Sequence, residues 1–282
     1  LAPELARRKG AEGREVLFVC KSPWLKNYLS TRILNDNVTI STVGGVKKSL
    51  RRAGLSSFDV LIVDEGQDLF NFDDMEVLDD SVVGGLENGE WYIFHDLNNQ
   101  SDLLSVANAE VLEYLKSLNN PVKVRLTTNC RNTSHILTKV QDSLSLDMGN
   151  KGTGLGPDVY EVTGKQGDLV KLIENKLSDL LNQDVSPGAV TILSGLPFTD
   201  SIVSLLSSKM TNSIVQLDYS VRNFPQSSIT FSEIKNFKGL ENEVILLVDL
   251  PSPSSLNDTD NKVLHYVGMS RARALLCLFW NA

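Results

Sequence analysis

Apolar residues in this chain are mostly grouped in short continuous runs, without strict alternation of apolar and polar positions. A short run of this kind is typical of a strand that is buried on both faces, as in a parallel sheet. The predicted strands that contain the longest runs are Glu15–Cys20, Val60–Val63, Trp91–Phe94, Ala189–Leu193, Glu243–Leu250 and Leu275–Trp280. Weaker patterns predict further strands at Val38–Thr42, Val122–Leu126, Ile214–Val215 and from Ile229.

Segments with helical spacing of apolar residues separate these strands. They are expected at residues 1–14, from Trp24 to Leu29, at 46–53, after Thr133 or Ser134, at 166–182 and at 199–209. Strands that alternate with helices predict α/β domains with parallel sheets. Glycines and few apolar residues between Asp147 and Gly167 indicate a loop or linker. We therefore predict one domain over residues 1–128 and a second over 129–282.

Composition narrows the class of protein. The chain has 282 residues, 41% of them apolar and 22% charged, which is typical of a globular protein. No apolar run reaches the ~20 residues of a membrane helix, so no membrane partner is expected. Three widely spaced cysteines predict reduced thiols and a cytoplasmic location. The net charge of −8 excludes a generally basic coat but allows a local basic groove.

The strand at Val60–Val63 ends directly in Asp64-Glu65. Carboxylates at the carboxyl end of such a strand lie where open α/β sheets bind ligands. An Asp there can hold Mg²⁺ on nucleotide phosphates, and the adjacent Glu can orient or deprotonate water. A plain acidic turn explains the two carboxylates equally well.

The continuation Gly66-Gln67-Asp68 favours the first interpretation. The string Asp-Glu-x-Gln-Asp resembles motif II of superfamily 1 helicases of the UvrD/Rep type. That resemblance implies an α/β fold of two RecA-like domains with mainly parallel sheets and without large inserted domains. It also implies ATP and Mg²⁺ as ligands, with Asp64 holding the metal and Glu65 acting as catalytic base.

Four later segments resemble other motifs of this family, in the family's order. His95-Asp96 with Gln100 resembles motif III, Asn129-x-Arg131 motif IV, Lys238-Gly239-x-Glu241 motif V, and Ser270-Arg271 motif VI. The resemblance implies that Gln100 senses the γ-phosphate. It further implies that Arg131 and Arg271 neutralise transition-state charge and that Glu241 accepts from the ribose, with Lys238 and Gly239 beside it. Surface arginines at helix starts are the alternative for Arg131 and Arg271.

Candidate contacts to single-stranded nucleic acid, with DNA favoured over RNA, come from the same comparison. They are Lys21, Trp24, Lys47, Lys48, Arg51, Arg52 and Lys235. Core packing is the alternative for Trp24, and a solvated helix face is the alternative for the cations of 47–52. The aromatic residue that usually follows motif III is replaced by Ser101, so base stacking there is not expected.

One motif of the family is missing. No Gly-x-x-x-x-Gly-Lys-Ser/Thr loop occurs in the sequence, and residues 1–8 resemble the helix that normally follows it. We expect the chain to begin just after that loop and to be inactive alone, and the alternative is a degenerate relative that has lost the loop. The sequence leaves open a fused or partner domain upstream of Leu1. The leading hypothesis is an ATP-dependent helicase-like motor. The alternative is a non-catalytic RecA-like module that binds nucleic acid or a protein partner.

Overall fold

A computed structural model describes residues 1–96, 106–118, 121–149, 151–217, 223–256 and 259–282. The chain is an α/β protein with two sheets in which every strand pairing is parallel. It divides into two compact units, Leu1–Val124 and Arg125–Ala282. The division lies ahead of the predicted boundary at 128/129. Within the described residues, no helix is long and apolar enough to cross a membrane.

The first unit has a sheet of order β2-β1-β3-β4 among its described residues. Its strands are β1 (Val16–Cys20), β2 (Val38–Thr42), β3 (Val60–Val63) and β4 (Glu90–Ile93). Its helices are α1 (Ala2–Ala11), α2 (Pro23–Arg32), α3 (Val46–Ala53), α4 (Phe72–Asp79), α5 (Gly85–Asn88) and α6 (Val106–Ser117).

Both faces of β1 and β3 are covered, which explains their continuous apolar sequences. Leu17 and Leu61 belong to a core cluster with residues of α4 and α6. The alternate positions Phe18 and Ile62 belong to a second cluster, with residues of α1 and α2. Because side chains alternate along a strand, only a sheet between two helical layers requires apolar residues at every position.

The second unit has a sheet of order β5-β10-β9-β6-β8-β7 among its described residues. Its strands are β5 (Tyr160–Gly164), β6 (Val190–Ser194), β7 (Ile214–Gln216), β8 (Ile229–Glu233), β9 (Asn242–Pro251) and β10 (Ala272–Asn281). Its helices are α7 (Ser134–Leu144), α8 (Gln166–Asn182), α9 (Ser208–Thr211) and α10 (Thr259–Met269).

The apolar stripe of α8 closes one face of this sheet. Leu169, Ile173 and Leu177 are fully buried and cluster with Leu246 of β9 and Phe279 of β10. These α8 positions follow the spacing of one helix face, which places them against the sheet together.

Three expectations are wrong. Val122–Leu126 forms no strand, and its side chains Val122, Val124 and Leu126 are 90%, 75% and 64% exposed. An alternating pattern becomes a strand only when a neighbour supplies hydrogen bonds, and no described strand pairs with this segment. The expected linker instead contains β5, an edge strand with the half-buried pattern of Tyr160–Gly164. The expected helix at 199–209 is a 3-10 turn, Ile202–Leu205, followed by the short α9.

Candidate functional site

The carboxylates Asp64 and Glu65 follow the last residue of β3. The amide of Asp64 donates to the carbonyl of Val19 at 2.9 Å, which extends the β1–β3 ladder by one bond. Both side chains therefore leave the sheet at the carboxyl ends of parallel strands, the usual ligand side of such a sheet. Neighbouring Cys20 ends β1, and burial, reinforced by the charge of Asp64, raises the pKa of its thiol to about 12. That thiol is neutral and no nucleophile near pH 7.

Glu65 has a left-handed backbone conformation, with φ of 54°. Non-glycine residues rarely adopt it, and it costs on the order of 1 kcal/mol or more. The next residue locks the turn, because the amide of Gly66 donates to the carbonyl of Phe94 at 2.8 Å. A Cβ on Gly66 would lie 2.5 Å from Cγ2 of Ile93. Glycine is therefore required where this turn meets the end of β4.

Gln67 connects Glu65 to the segment that follows β4. Its side chain is buried, and its amide Nε2 donates to Oε2 of Glu65 at 2.5 Å. Its carbonyl Oε1 accepts from the backbone N–H of Asp96 at 3.1 Å. The side-chain amide thus donates through its nitrogen and accepts through its oxygen, and it fixes the carboxylate of Glu65 relative to Asp96. The sequence pattern marks Gln67 only as part of a motif. The predicted γ-phosphate sensor Gln100 lies outside the described residues.

Two predicted nucleic-acid contacts near this site have partners within the unit. Nζ of Lys21 lies 2.8 Å from Oδ2 of Asp74, and the Lys21 side chain is half exposed. Trp24 is 6% exposed and packs on the inner side of α2, as the core alternative predicts. A ring with so little surface has no face to offer a base. The burial of Trp24 therefore excludes it from the proposed contacts to nucleic acid.

The four cations of α3 are in a different situation. Lys47, Lys48, Arg51 and Arg52 are all exposed, and among the described residues no ion pair is formed by any of them. Val46 is the buried residue of this helix, so its remaining surface carries mostly positive charge. Such a surface is suited to phosphates.

In the second unit, a loop before α7 carries Arg131. Oδ1 of Asn129 accepts from the backbone N–H of Arg131 at 2.9 Å and from that of Asn132 at 3.0 Å. Asn132 is buried, and its Nδ2 donates to the carbonyls of Ser270 at 3.0 Å and Ala272 at 2.6 Å. Asn132 therefore ties the Arg131 loop to the turn between α10 and β10. No pattern in the sequence pointed to this role of Asn132.

Arg271 lies in that turn and is 5% exposed. Its Nε donates to the carbonyl of Val267 at 3.0 Å, and its Nη1 donates to the carbonyl of Leu240 at 3.5 Å. Gly239, with φ of 84°, gives the turn from Lys238 to Glu241 its shape. The structure thus brings the predicted residues Arg131, Glu241 and Arg271 together within the second unit.

The exposed side of this junction is an arginine–carboxylate cluster. Nε of Arg131 lies 2.7 Å from Oε2 of Glu241. Nε of Arg273 lies 3.7 Å from Oε1 of the same carboxylate, and its Nη1 lies 3.3 Å from Oε1 of Glu243. Arg273 is not among the predicted site residues, although the string Arg271-x-Arg273 could have drawn attention to it.

Lys235, a predicted contact to nucleic acid, is paired with a different carboxylate. Its Nζ lies 2.8 Å from Oε2 of Glu233.

Metal binding would depend on a nucleotide. Among the described residues, no three His, Cys, Asp or Glu side chains are grouped as a metal site. Mg²⁺ usually keeps several waters and binds through one or two carboxylates plus substrate phosphates. Asp64 at the end of β3 fits that role as a single protein ligand.

Comparison with known proteins shows partial likeness to solved structures. No family model and no curated protein matches the chain. Part of it is similar to a solved structure described as the C-terminal domain of a possible DNA helicase from Lactobacillus plantarum WCFS1. The two share 14% identity over 53% of this chain and 86% of the other, with a TM-score of 0.39.

Proposed function

We propose that the chain belongs to an ATP-dependent, helicase-like motor that acts on single-stranded nucleic acid. The observation that supports this best is the arrangement of Glu65. It follows Asp64 at the carboxyl end of β3, in a strained conformation, with its carboxylate held by Gln67. A strained backbone supported by a buried hydrogen-bonded side chain is typical of functional sites.

In the proposed mechanism each residue has one task. Asp64 would hold a magnesium ion, which when bound would neutralise phosphate charge, and Glu65 would orient the attacking water and accept its proton. Arg131 stabilises charge that develops on the γ-phosphate, and Gln100 reports the presence of that phosphate. Arg271 shares this task only if its guanidinium group leaves the carbonyls of Val267 and Leu240, to which it donates in the structure. The nucleotide is also contacted, in this proposal, by three residues of the turn before β9: Lys238, Gly239 and Glu241.

The proposed contacts to nucleic acid are the cations Lys47, Lys48, Arg51 and Arg52, with Lys21 and Lys235 as minor contributors. The four α3 cations are exposed, whereas Lys21 and Lys235 have carboxylate partners. Phosphate contacts of this kind carry no sequence information, so binding should be sequence-tolerant. DNA is the preferred polymer in this proposal.

A second candidate function is a non-catalytic module that binds nucleic acid or a protein. The ion pair between Arg131 and Glu241 favours this candidate, because it engages the guanidinium group of a predicted catalytic residue. The two candidates differ in hydrolysis, because a binding module does not turn over ATP under any condition.

The experiment is an ATPase assay with and without a single-stranded oligonucleotide. One sample is the chain itself, and the other carries a Gly-x-x-x-x-Gly-Lys-Thr loop joined ahead of Leu1. We expect negligible turnover from the chain itself, because such loops supply most backbone contacts to the phosphates. The second form should show stimulated hydrolysis. Turnover by neither form would favour the binding module.

A further inference from the structure

Glu241 occupies a position that an external anion could take. Its carboxylate contacts Nε of Arg131 at 2.7 Å and faces Nε of Arg273 at 3.7 Å. The Glu241 side chain is 37% exposed, and those of Arg131 and Arg273 are 40% and 50% exposed. Two guanidinium groups on one accessible carboxylate form the kind of setting that also binds phosphate groups.

The two arginines are anchored differently from the carboxylate. Asn132 and the backbone of Thr133, which donates to the carbonyl of Arg273 at 3.1 Å, fix the loop of Arg131 to the start of β10. Both arginine backbones are therefore part of one hydrogen-bonded junction. The contact of Glu241 with the two guanidinium groups is made by its side chain, and rotation of that side chain would release both groups from this carboxylate without breaking the backbone junction.

We infer that Arg131 and Arg273 form a phosphate-binding site whose internal competitor is the carboxylate of Glu241. The inference rests on the proposed function for Arg131 and adds Arg273, to which that function gives no role. An arriving phosphate displaces the carboxylate, and Arg273 keeps Glu243, 3.3 Å away, as a second partner. In the nucleotide-free protein Arg131 is thus paired with Glu241. Phosphate binding is weaker than it would be without this competing carboxylate.

The test is calorimetric binding of inorganic pyrophosphate, without metal, to the full chain. Glu241→Gln removes the competing charge and retains the shape of the side chain. Since exposed ion pairs contribute at most about 1 kcal/mol, the variant should bind pyrophosphate roughly three- to fivefold more tightly than the parent. The matched control is Glu113→Gln, which changes the net charge equally but removes a carboxylate paired with Lys116 in the first unit.

Two double variants assign the gain to the arginines. Adding Arg131→Ala or Arg273→Ala to Glu241→Gln should abolish the tighter binding. Equal affinities of Glu241→Gln and Glu113→Gln would overturn the inference, and so would a gain that survives both arginine substitutions. Glu241→Asp, which shortens the carboxylate, supplies an independent variant and should also bind more tightly than the parent. None of these outcomes depends on hydrolysis, so they are separate from a failure of the proposed function.

Discussion

The side-chain amide of Gln67 donates to the carboxylate of Glu65, with 2.5 Å between Nε2 and Oε2. The same amide group accepts from the backbone N–H of Asp96 at 3.1 Å. A single buried side chain therefore relates the proposed catalytic base to the segment that leaves β4. A change in either partner would be transmitted to the other through this side chain.

Gln67→Met tests that relationship. The substitution retains most of the volume but removes both hydrogen bonds, so the amide of Asp96 should lose protection against hydrogen exchange. The amide of Gly66 donates to the Phe94 carbonyl and should stay protected. Because a buried donor and acceptor lose their partner, unfolding should become easier by about 1–3 kcal/mol. Exchange is measured by NMR, with exposed Gln183→Met as control. An unchanged Asp96 amide would contradict the bridge.

The sequence predicts a strand well when the strand is marked by its own residues, and poorly when it depends on partners far away in the chain. β1, β3 and β6 follow from continuous apolar runs, because two-sided burial leaves a local pattern. The sequence pattern missed the edge strand β5 and wrongly predicted a strand at Val122–Leu126. Whether such a segment becomes a strand depends on neighbouring strands, which a local pattern does not contain.

In the candidate site, too, the sequence predicts local features but not contacts between distant residues. The order of residues identified Asp64, Glu65, Arg131 and Arg271 as candidates. It could not show the left-handed conformation of Glu65 or the pairing of Arg131 with Glu241, which lie far apart in sequence. Trp24 has the same local spacing whether it faces the core or a ligand, and only the packed fold distinguishes the two.

Stability at low pH should depend on Glu90. Burial alone would raise the pKa of Glu90, but hydrogen bonds from Lys9 and Tyr92 outweigh it and hold the pKa below the ordinary 4.5. The carboxylate lies 2.8 Å from Nζ of Lys9 and 3.2 Å from Nη1 of Arg14. With a lowered folded-state pKa, its stabilising contribution is present above pH 4.5 and is lost as the pH falls through the folded-state value.

Glu90→Gln should therefore lower the free energy of unfolding near neutral pH and make its decline below pH 4.5 shallower. Urea unfolding between about pH 6 and pH 3 measures both effects. Glu87→Gln, at an exposed position of α5, is the control and should follow the parent. Parallel pH profiles for the parent and Glu90→Gln would show that the cluster contributes no such linkage.

Binding to single strands should depend on α3. Replacing Lys47, Lys48, Arg51 and Arg52 by Ala should weaken binding and flatten its salt dependence, by about 0.7 in log–log slope per phosphate contact removed. Fluorescence anisotropy across a salt series provides the measurement. A control with equal loss of charge at exposed positions consists of Arg7, Lys116, Lys171 and Lys209 replaced by Ala. If both variants bind alike, net charge accounts for the effect and α3 is only a solvated face.

The arginines should act on turnover in the form that carries the phosphate-binding loop. Arg131→Ala should lower kcat at least roughly tenfold, since arginines at such positions contribute ~10³–10⁵ in related phosphoryl-transfer enzymes. Half-exposed Arg131 can be removed with little effect on folding. Arg271 is buried against two carbonyls, so its removal should also destabilise the second unit. Arg271→Lys keeps the charge and separates the two effects. Parent rates for both Arg131→Ala and Arg271→Lys would remove these residues from the mechanism.

The central claim, that Glu65 serves as the base for ATP hydrolysis, is tested most directly by Glu65→Gln in the loop-bearing form. The replacement keeps an oxygen that can accept from Gln67 and removes the charge that takes up a proton. Oligonucleotide-stimulated hydrolysis is measured for parent and variant at saturating ATP and Mg²⁺. Our account predicts that kcat falls by a factor of about 10² or more while oligonucleotide binding is retained. Hydrolysis at the parent rate by Glu65→Gln would contradict it.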